Sequence, residues 1–199
     1  MADDKSGREA QARSAERRQR EREIASELER GDEAEPPIDA AELADIEAAL
    51  ESVTYPATGT EIVATLGDRE VDAADRTYTV AELIPEADAE TFDSPADVRV
   101  RVQRPSVAAT MKRIVEAVDA LPNVDFGGSQ RDAYEKTLDE LESIDEDDDD
   151  EGVRVVGDWL VERIDDDGTL PGSRSVRRRA AAFCRENGYQ VRNDEWLGI

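Results

Sequence analysis

The sequence has no histidine, a single cysteine and no apolar run approaching the roughly 18 to 20 residues that a membrane-spanning helix requires. Without imidazole there is no Ser/His or Cys/His nucleophile pair, no histidine acid–base catalysis and none of the usual His-containing zinc sites. A lone Cys184 excludes an internal disulfide and a thiolate metal cluster. Also missing are a Gly-rich phosphate loop followed by Lys-Ser/Thr, a dinucleotide-binding fingerprint and a nucleophile-elbow serine. Carboxylates are so abundant that no catalytic pair stands out. The N-terminus alternates acids with bases where a secretory leader would need an apolar stretch. These absences predict a soluble, cytoplasmic, non-enzymatic protein with no cofactor, no metal site and no membrane contact.

Aromatics are scarce, at 5% of 199 residues, so the 38% of hydrophobic residues can fill only modest cores. Lysine is scarcer still: it stands only at positions 5, 112 and 136, and every other base is an arginine. Against these bases stand 50 Asp and Glu, for a net charge of −25. Such a charge repels itself in dilute buffer, whereas in molar salt the Debye length falls to about 3 Å and the repulsion is screened. Acid-rich, lysine-poor, small-hydrophobe composition resembles that of proteins from salt-loving archaea, and most surface acid then serves solvation.

Residues 1–37 read as a charged helical or disordered segment with a linker. Between Arg8 and Arg30 only Ile24, Leu28 and alanines are available for burial, and Glu9/Arg13 and Glu16/Arg20 have the acid-first i, i+4 spacing of a solvated helix. Gly31 and the Pro36-Pro37 pair close it. A segment of balanced charge beside an acidic body is a candidate coupling arm for a protein partner or a nucleic acid.

Residues 38–122 read as a small helical domain. Asp39/Glu42, Thr58/Glu61 and Thr79/Glu82 share capping-box spacing, and Ile38/Leu43 and Tyr78/Leu83 are placed as hydrophobic staples. Between the second and third boxes, Arg69 to Thr79 suits a small hairpin. Ser94 before Pro95 opens a helix, although the alternation of Val98, Val100 and Val102 competes as a strand; Ser106 after Pro105 opens a longer one.

Within this domain, Tyr55-Pro56-Ala57-Thr58, Glu61-Ile62, Gly67-Asp68 and the later Thr91-Phe92-Asp93-Ser94-Pro95 run resemble a small domain family of unknown function common in halophilic archaea. The likeness spans roughly residues 40–100 and implies no activity and no site residues.

Residues 128–199 read as a winged-helix-like unit. Gly127-Gly128 breaks the chain, Ser129 with Asp132 starts a helix carrying Tyr134, Leu138 and Leu141, and seven consecutive acids follow at 145–151. A second helix carries Val153, Val156, Leu160 and Ile164, and Asp165 to Gly172 forms a loop. A third runs from a Ser173 cap to Asn187, and two short strands, 189–192 and 196–199, complete the order of a winged helix, whose third helix enters the major groove. The expected fold class is therefore mainly α with small β-hairpins.

That third helix carries the one basic cluster of the acidic body. At about 100° per residue, Val176, Ala180, Phe183 and Cys184 share one face, and Arg174, Arg178 and Arg185 lie within about 40° of one another on the opposite face. Arg177 and Arg179 flank them, and residues 173–192 hold six arginines against Glu186 alone. Arg174, Arg177, Arg178 and Arg185 are thus the candidate nucleic-acid contacts. The alternative is that these arginines neutralise the acids at 145–151 and 165–167. Neither acidic loop has the spacing of a calcium loop, and Cys184 reads as a buried thiol. Two functions follow: a nucleic-acid-binding or regulatory accessory protein, or a protein–protein adaptor with no nucleic-acid contact.

Overall fold

The computed structural model describes residues 36–73, 76–122, 124–144 and 150–189. The N-terminal arm, the tip of the hairpin at 74–75, residue 123, the acids at 145–149 and residues 190–199 lie outside them. Among the described residues the fold is mainly helical, with two small antiparallel strand pairs. No described helix is long and apolar enough to cross a membrane.

The chain enters through a 3-10 turn, Ala40–Leu43, which continues into α1, Ala44–Leu50. Asp39 caps the turn by accepting from the Ala41 amide at 2.8 Å, so the reciprocal box expected with Glu42 gives way to a tighter local bond. Strand β1, Ala57–Thr58, leads straight into α2, Gly59–Leu66, where the expected box is complete: the Glu61 amide donates to Thr58 Oγ1 at 3.2 Å and the Thr58 amide donates to Glu61 Oε2 at 2.8 Å. The hairpin forms from β2, Glu70–Asp72, and β3, Thr77–Thr79, with Val71 opposite Tyr78, both buried. Thr79 and Glu82 then cap the short α3, Val80–Leu83.

Strand β4, Thr91–Phe92, pairs with β1, a pairing the sequence reading did not anticipate. It turns into α4, Pro95–Val102, which settles the helix-against-strand ambiguity. As a helix, α4 buries Val98 and Val102 together and leaves Val100 outside at 56% exposure. The long helix α5, Pro105–Asp119, starts one residue earlier than expected, with Arg104 in the cap position; Ser106 lies within its first turn, where its hydroxyl donates to Asp150 Oδ2.

Three helices complete the described chain: α6, Gly128–Glu142; α7, Glu151–Asp167; and α8, Ser173–Asn187. Their N-cap positions correct the sequence reading at two points, because Gly127 and Gly172 cap α6 and α8 while Ser129 and Ser173 fall inside the helices. Helix α7 also absorbs Asp165, Asp166 and Asp167, assigned above to a loop, and stops at Gly168 with φ 60°. Of the two strands expected after α8, only Tyr189 is described; its ring lies 5.8 Å from that of Phe183.

Apolar burial is divided between two clusters. One, from Ile38 to Ala108, gathers the inner faces of α1 to α4 and both strand pairs. The other gathers Tyr134, Leu138 and Leu141 of α6, Val153, Val156, Leu160 and Ile164 of α7, and the inner face of α8. Helix α5 serves both, since Ala108 belongs to the first cluster while Val107, Met111, Ile114, Val115 and Val118 belong to the second. Where α5 crosses α7, Gly157 admits the side chain of Thr110.

Candidate nucleic-acid interface

Helix α8 is amphipathic in the sense its residue spacing required. Val176, Ala180, Ala181, Phe183 and Cys184 are buried against α6 and α7, with Cys184 at 2% exposure and outside any disulfide. The helix begins where Gly172 accepts from the Ser175 and Val176 amides, and it ends where Gly188, at φ 75°, lets its own amide and that of Tyr189 reach the Cys184 carbonyl. A left-handed terminator of this kind favours glycine, which fixes the stop at this position.

The opposite face carries the arginines. Arg174, Arg178 and Arg185 are exposed, while Arg177 and Arg179 are half-buried at its edges. Arg185 bends back so that Nε donates to the Ala181 carbonyl at 3.0 Å, which covers the last turn of the helix and leaves the guanidinium outside. Arg179 Nε is buried with no hydrogen-bond partner. Among the described residues no ion pair reaches Arg174, Arg178 or Arg185. Asp167, one of the acids that could have neutralised them, pairs with Arg163 of its own helix at 3.3 Å. Among the described residues no group of three or more acidic or thiol side chains is arranged to hold a metal ion.

A second charged constellation escaped the sequence reading. Helix α6 turns Glu135, Asp139 and Glu142 toward the α4–α5 corner, where Arg101 and Arg104 meet them. Arg104 Nη1 donates to Glu142 Oε2 at 2.6 Å and its Nε lies 3.8 Å from Asp139 Oδ1; Arg101 Nη1 lies 3.4 Å from Glu135 Oε1. Beside them, Glu90 accepts from Arg101 at 3.3 Å and from Arg131 of α6, whose guanidinium also lies over the Phe126 ring. The cluster is dry at Glu142 and Glu90, whose side chains are 4% and 6% exposed, and wetter at its rim, where Glu135 and Asp139 are 29% and 34% exposed.

Burial dominates its electrostatics. Desolvation pushes the Asp139 carboxyl up to about 7, against the Arg104 guanidinium and with Glu135 and Glu142 adding to the rise. Desolvation likewise pushes Glu142 up to about 7, against its hydrogen bond and charge pairing with Arg104. The sequence did carry a signal, since Glu135, Asp139 and Glu142 stand at i, i+4, i+7 and form one stripe of a helix. In a chain this acidic, such a stripe resembles any solvated face.

The motifs behind the family likeness converge through the β1–β4 pair. Ala57 faces Phe92 and Thr58 faces Thr91, which sets the N-termini of α2 and α4 side by side. Their polar groups are spent internally. Glu61 closes one terminus with Thr58, and Asp97 Oδ2 closes the other by accepting from the Asp93 and Ser94 amides at 3.0 and 2.9 Å. These capping residues hold the fold together, while the hydroxyl of Tyr55, the first residue of the motif, is buried without a hydrogen-bond partner.

Residues 40–111 match a family of unknown function, DUF5789. The DUF5789 match takes in the first apolar cluster except Ile38, together with the opening turns of α5, and it stops short of α6, α7 and α8. No curated protein and no solved structure matches the chain.

Proposed function

We propose that this protein is a non-enzymatic, nucleic-acid-binding accessory or regulatory protein that contacts its target through helix α8. The observation that carries the reading is the state of the arginines. Arg99, Arg101, Arg104, Arg113, Arg131 and Arg163 each hold a carboxylate, and among the described residues Arg69 and Arg154 are exposed without one as isolated side chains, whereas on α8 three such side chains, Arg174, Arg178 and Arg185, share one face. Guanidinium groups left without a carboxylate among the described residues, in a chain with twice as many acids as bases, are suited to phosphate oxygens. The order α6, α7, α8 supports a winged-helix arrangement in which α8 is the groove-facing helix.

The net charge of −25 does not preclude such binding. At molar salt the Debye length is about 3 Å, so a polyanion docked on α8 senses the local arginines and not the distant acids. The alternative reading, a protein–protein adaptor with no nucleic-acid contact, wants a docking patch. Among the described residues the one large exposed hydrophobic side chain is Val100, so the surface offers charge for recognition and little else.

The test is gel retardation of duplex DNA and of structured RNA by the intact protein across salt concentrations at which it is folded. Parallel assays use a variant with Arg174, Arg178 and Arg185 changed to Ala. Retardation lost in the variant supports the proposal. Absence of retardation with the unmodified protein would move the assignment to the adaptor. Retardation indifferent to the triple change would move the contact to the N-terminal bases.

A further inference from the structure

Two halves of the described fold touch through very different chemistry at different places. Of the buried residues in the α6–α8 cluster, only Ala87 precedes α5, and the α1–α4 cluster contains no buried residue beyond Ala108. Apart from α5 itself, apolar contact between the halves is therefore nearly absent. Charge takes its place: Glu90, Arg101 and Arg104 from the first half meet Arg131, Glu135, Asp139 and Glu142 from α6.

This seam is incompletely satisfied. Arg101 Nη1, Asp139 Oδ1 and Glu142 Oε1 are buried and make no hydrogen bond, although each lies within a group that also holds an ion pair. Buried polar groups left short of partners regain them from water when a contact opens, which lowers the cost of opening. By contrast, the clusters on either side are closed by fully buried side chains such as Leu50, Ile62, Leu138 and Leu160. The weakest boundary in the described fold thus runs along the charged seam, with α5 as the element common to both sides.

We propose that the seam is an ionic latch, with Arg104 as its central bond to α6, that fixes the angle between the α1–α4 half and the α6–α8 half and pivots about the start of α5 when released. Position favours Arg104 for that role. It caps α5, so its backbone belongs to the pivot, while its guanidinium reaches both Asp139 and Glu142. Release of that one side chain frees two carboxylates of α6 at once. Glu90 is the secondary fastening, bonded to Arg101 on its own half and to Arg131 on the other.

The experiment is a spin-label distance measurement, in buffer alkaline enough to ionise Asp139 and Glu142, on the full chain with Cys184→Ala and labels at Asp68→Cys and Glu162→Cys, both exposed sites, one in each half. In the otherwise unmodified protein a single narrow distance is expected. Arg104→Gln should add a second, longer distance population while the far-ultraviolet helical signal is retained, whereas Arg113→Gln, which breaks the exposed pair with Asp158, should leave one distance. If Arg104→Gln loses the helical signal, Glu142→Gln is read in its place, because it keeps the volume of the acid and should show the same second population. Combining Arg104→Glu with Glu142→Arg should restore the single distance. A folded Arg104→Gln or Glu142→Gln variant with one unshifted distance would overturn the latch, as would a second population in Arg113→Gln as large as that in Arg104→Gln.

Discussion

Gly157→Ala is the most quantitative probe of the packing that supports α8. A Cβ at position 157 would lie 2.4 Å from Thr110 Cγ2 but 3.5 Å from Thr110 Cβ and Oγ1, so the conflict is confined to one methyl group. Thr110 is 6% exposed and β-branched within α5, which leaves it little freedom to rotate away. Overpacking of this kind costs about 1 to 3 kcal/mol. Alanine regains about 1 kcal/mol over glycine in a helix interior. The expected net is a loss of about 1 kcal/mol, a drop in Tm of roughly 2 to 4 °C for a unit of this size. Thr110→Ser removes the offending methyl and keeps the hydroxyl; alone it should lose about 1 kcal/mol as a small cavity. In the Thr110→Ser background, Gly157→Ala should become stabilising by about 1 kcal/mol, for a coupling of about 2 kcal/mol in the double-mutant cycle. Denaturant unfolding of the four proteins at constant salt measures it. If Gly157→Ala stabilises the protein that retains Thr110 as much as it stabilises the Thr110→Ser variant, the close approach of α5 and α7 is refuted.

Two further predictions concern charge. With its pKa raised from 4.5 to about 7, Glu142 contributes stability that is fully present below about 4.5 and lost as pH rises through 7, up to about 3 kcal/mol. Glu142→Gln should therefore fall less in unfolding free energy between pH 5 and pH 8 than the unmodified protein, and equal falls would show that the carboxyl is not perturbed. At fixed pH, thermal midpoints should climb from dilute buffer to molar KCl, because screening relieves the repulsion of a −25 chain; flat midpoints would argue that the acidic surface is not a salt adaptation.

Local features were legible in the sequence wherever a side chain acts on its own neighbours. Thr58/Glu61, Thr79/Glu82 and Ser94 ahead of Pro95 mark helix starts because the capping bonds span three residues. Val71 and Tyr78 mark the hairpin because burial alternates along a short strand. Boundaries slipped where glycine competes with serine, as at Gly127/Ser129 and Gly172/Ser173, since glycine enters an extended cap without any side-chain bond to announce it. Long-range features were hidden. The β1–β4 pair joins two-residue strands about 34 residues apart, too short to carry a period. The seam of Arg104 with Asp139 and Glu142 depends on how α6 sits against the α4–α5 corner, which no local spacing encodes. The arginine face of α8 was readable because helical geometry alone separates Arg174, Arg178 and Arg185 from Val176 and Phe183.

If α8 binds phosphate through its arginines, the salt dependence of affinity must change when they are removed. Dissociation constants for a labelled duplex are measured by fluorescence anisotropy over a range of KCl in which circular dichroism shows both proteins folded. Log affinity should fall linearly with log salt for the unmodified protein, and changing Arg174, Arg178 and Arg185 to Ala should flatten the slope by about 2 to 3 units, one lost phosphate contact for each arginine. An unchanged slope in the triple variant, or no measurable affinity in the unmodified protein at any of these salts, would contradict phosphate binding by α8.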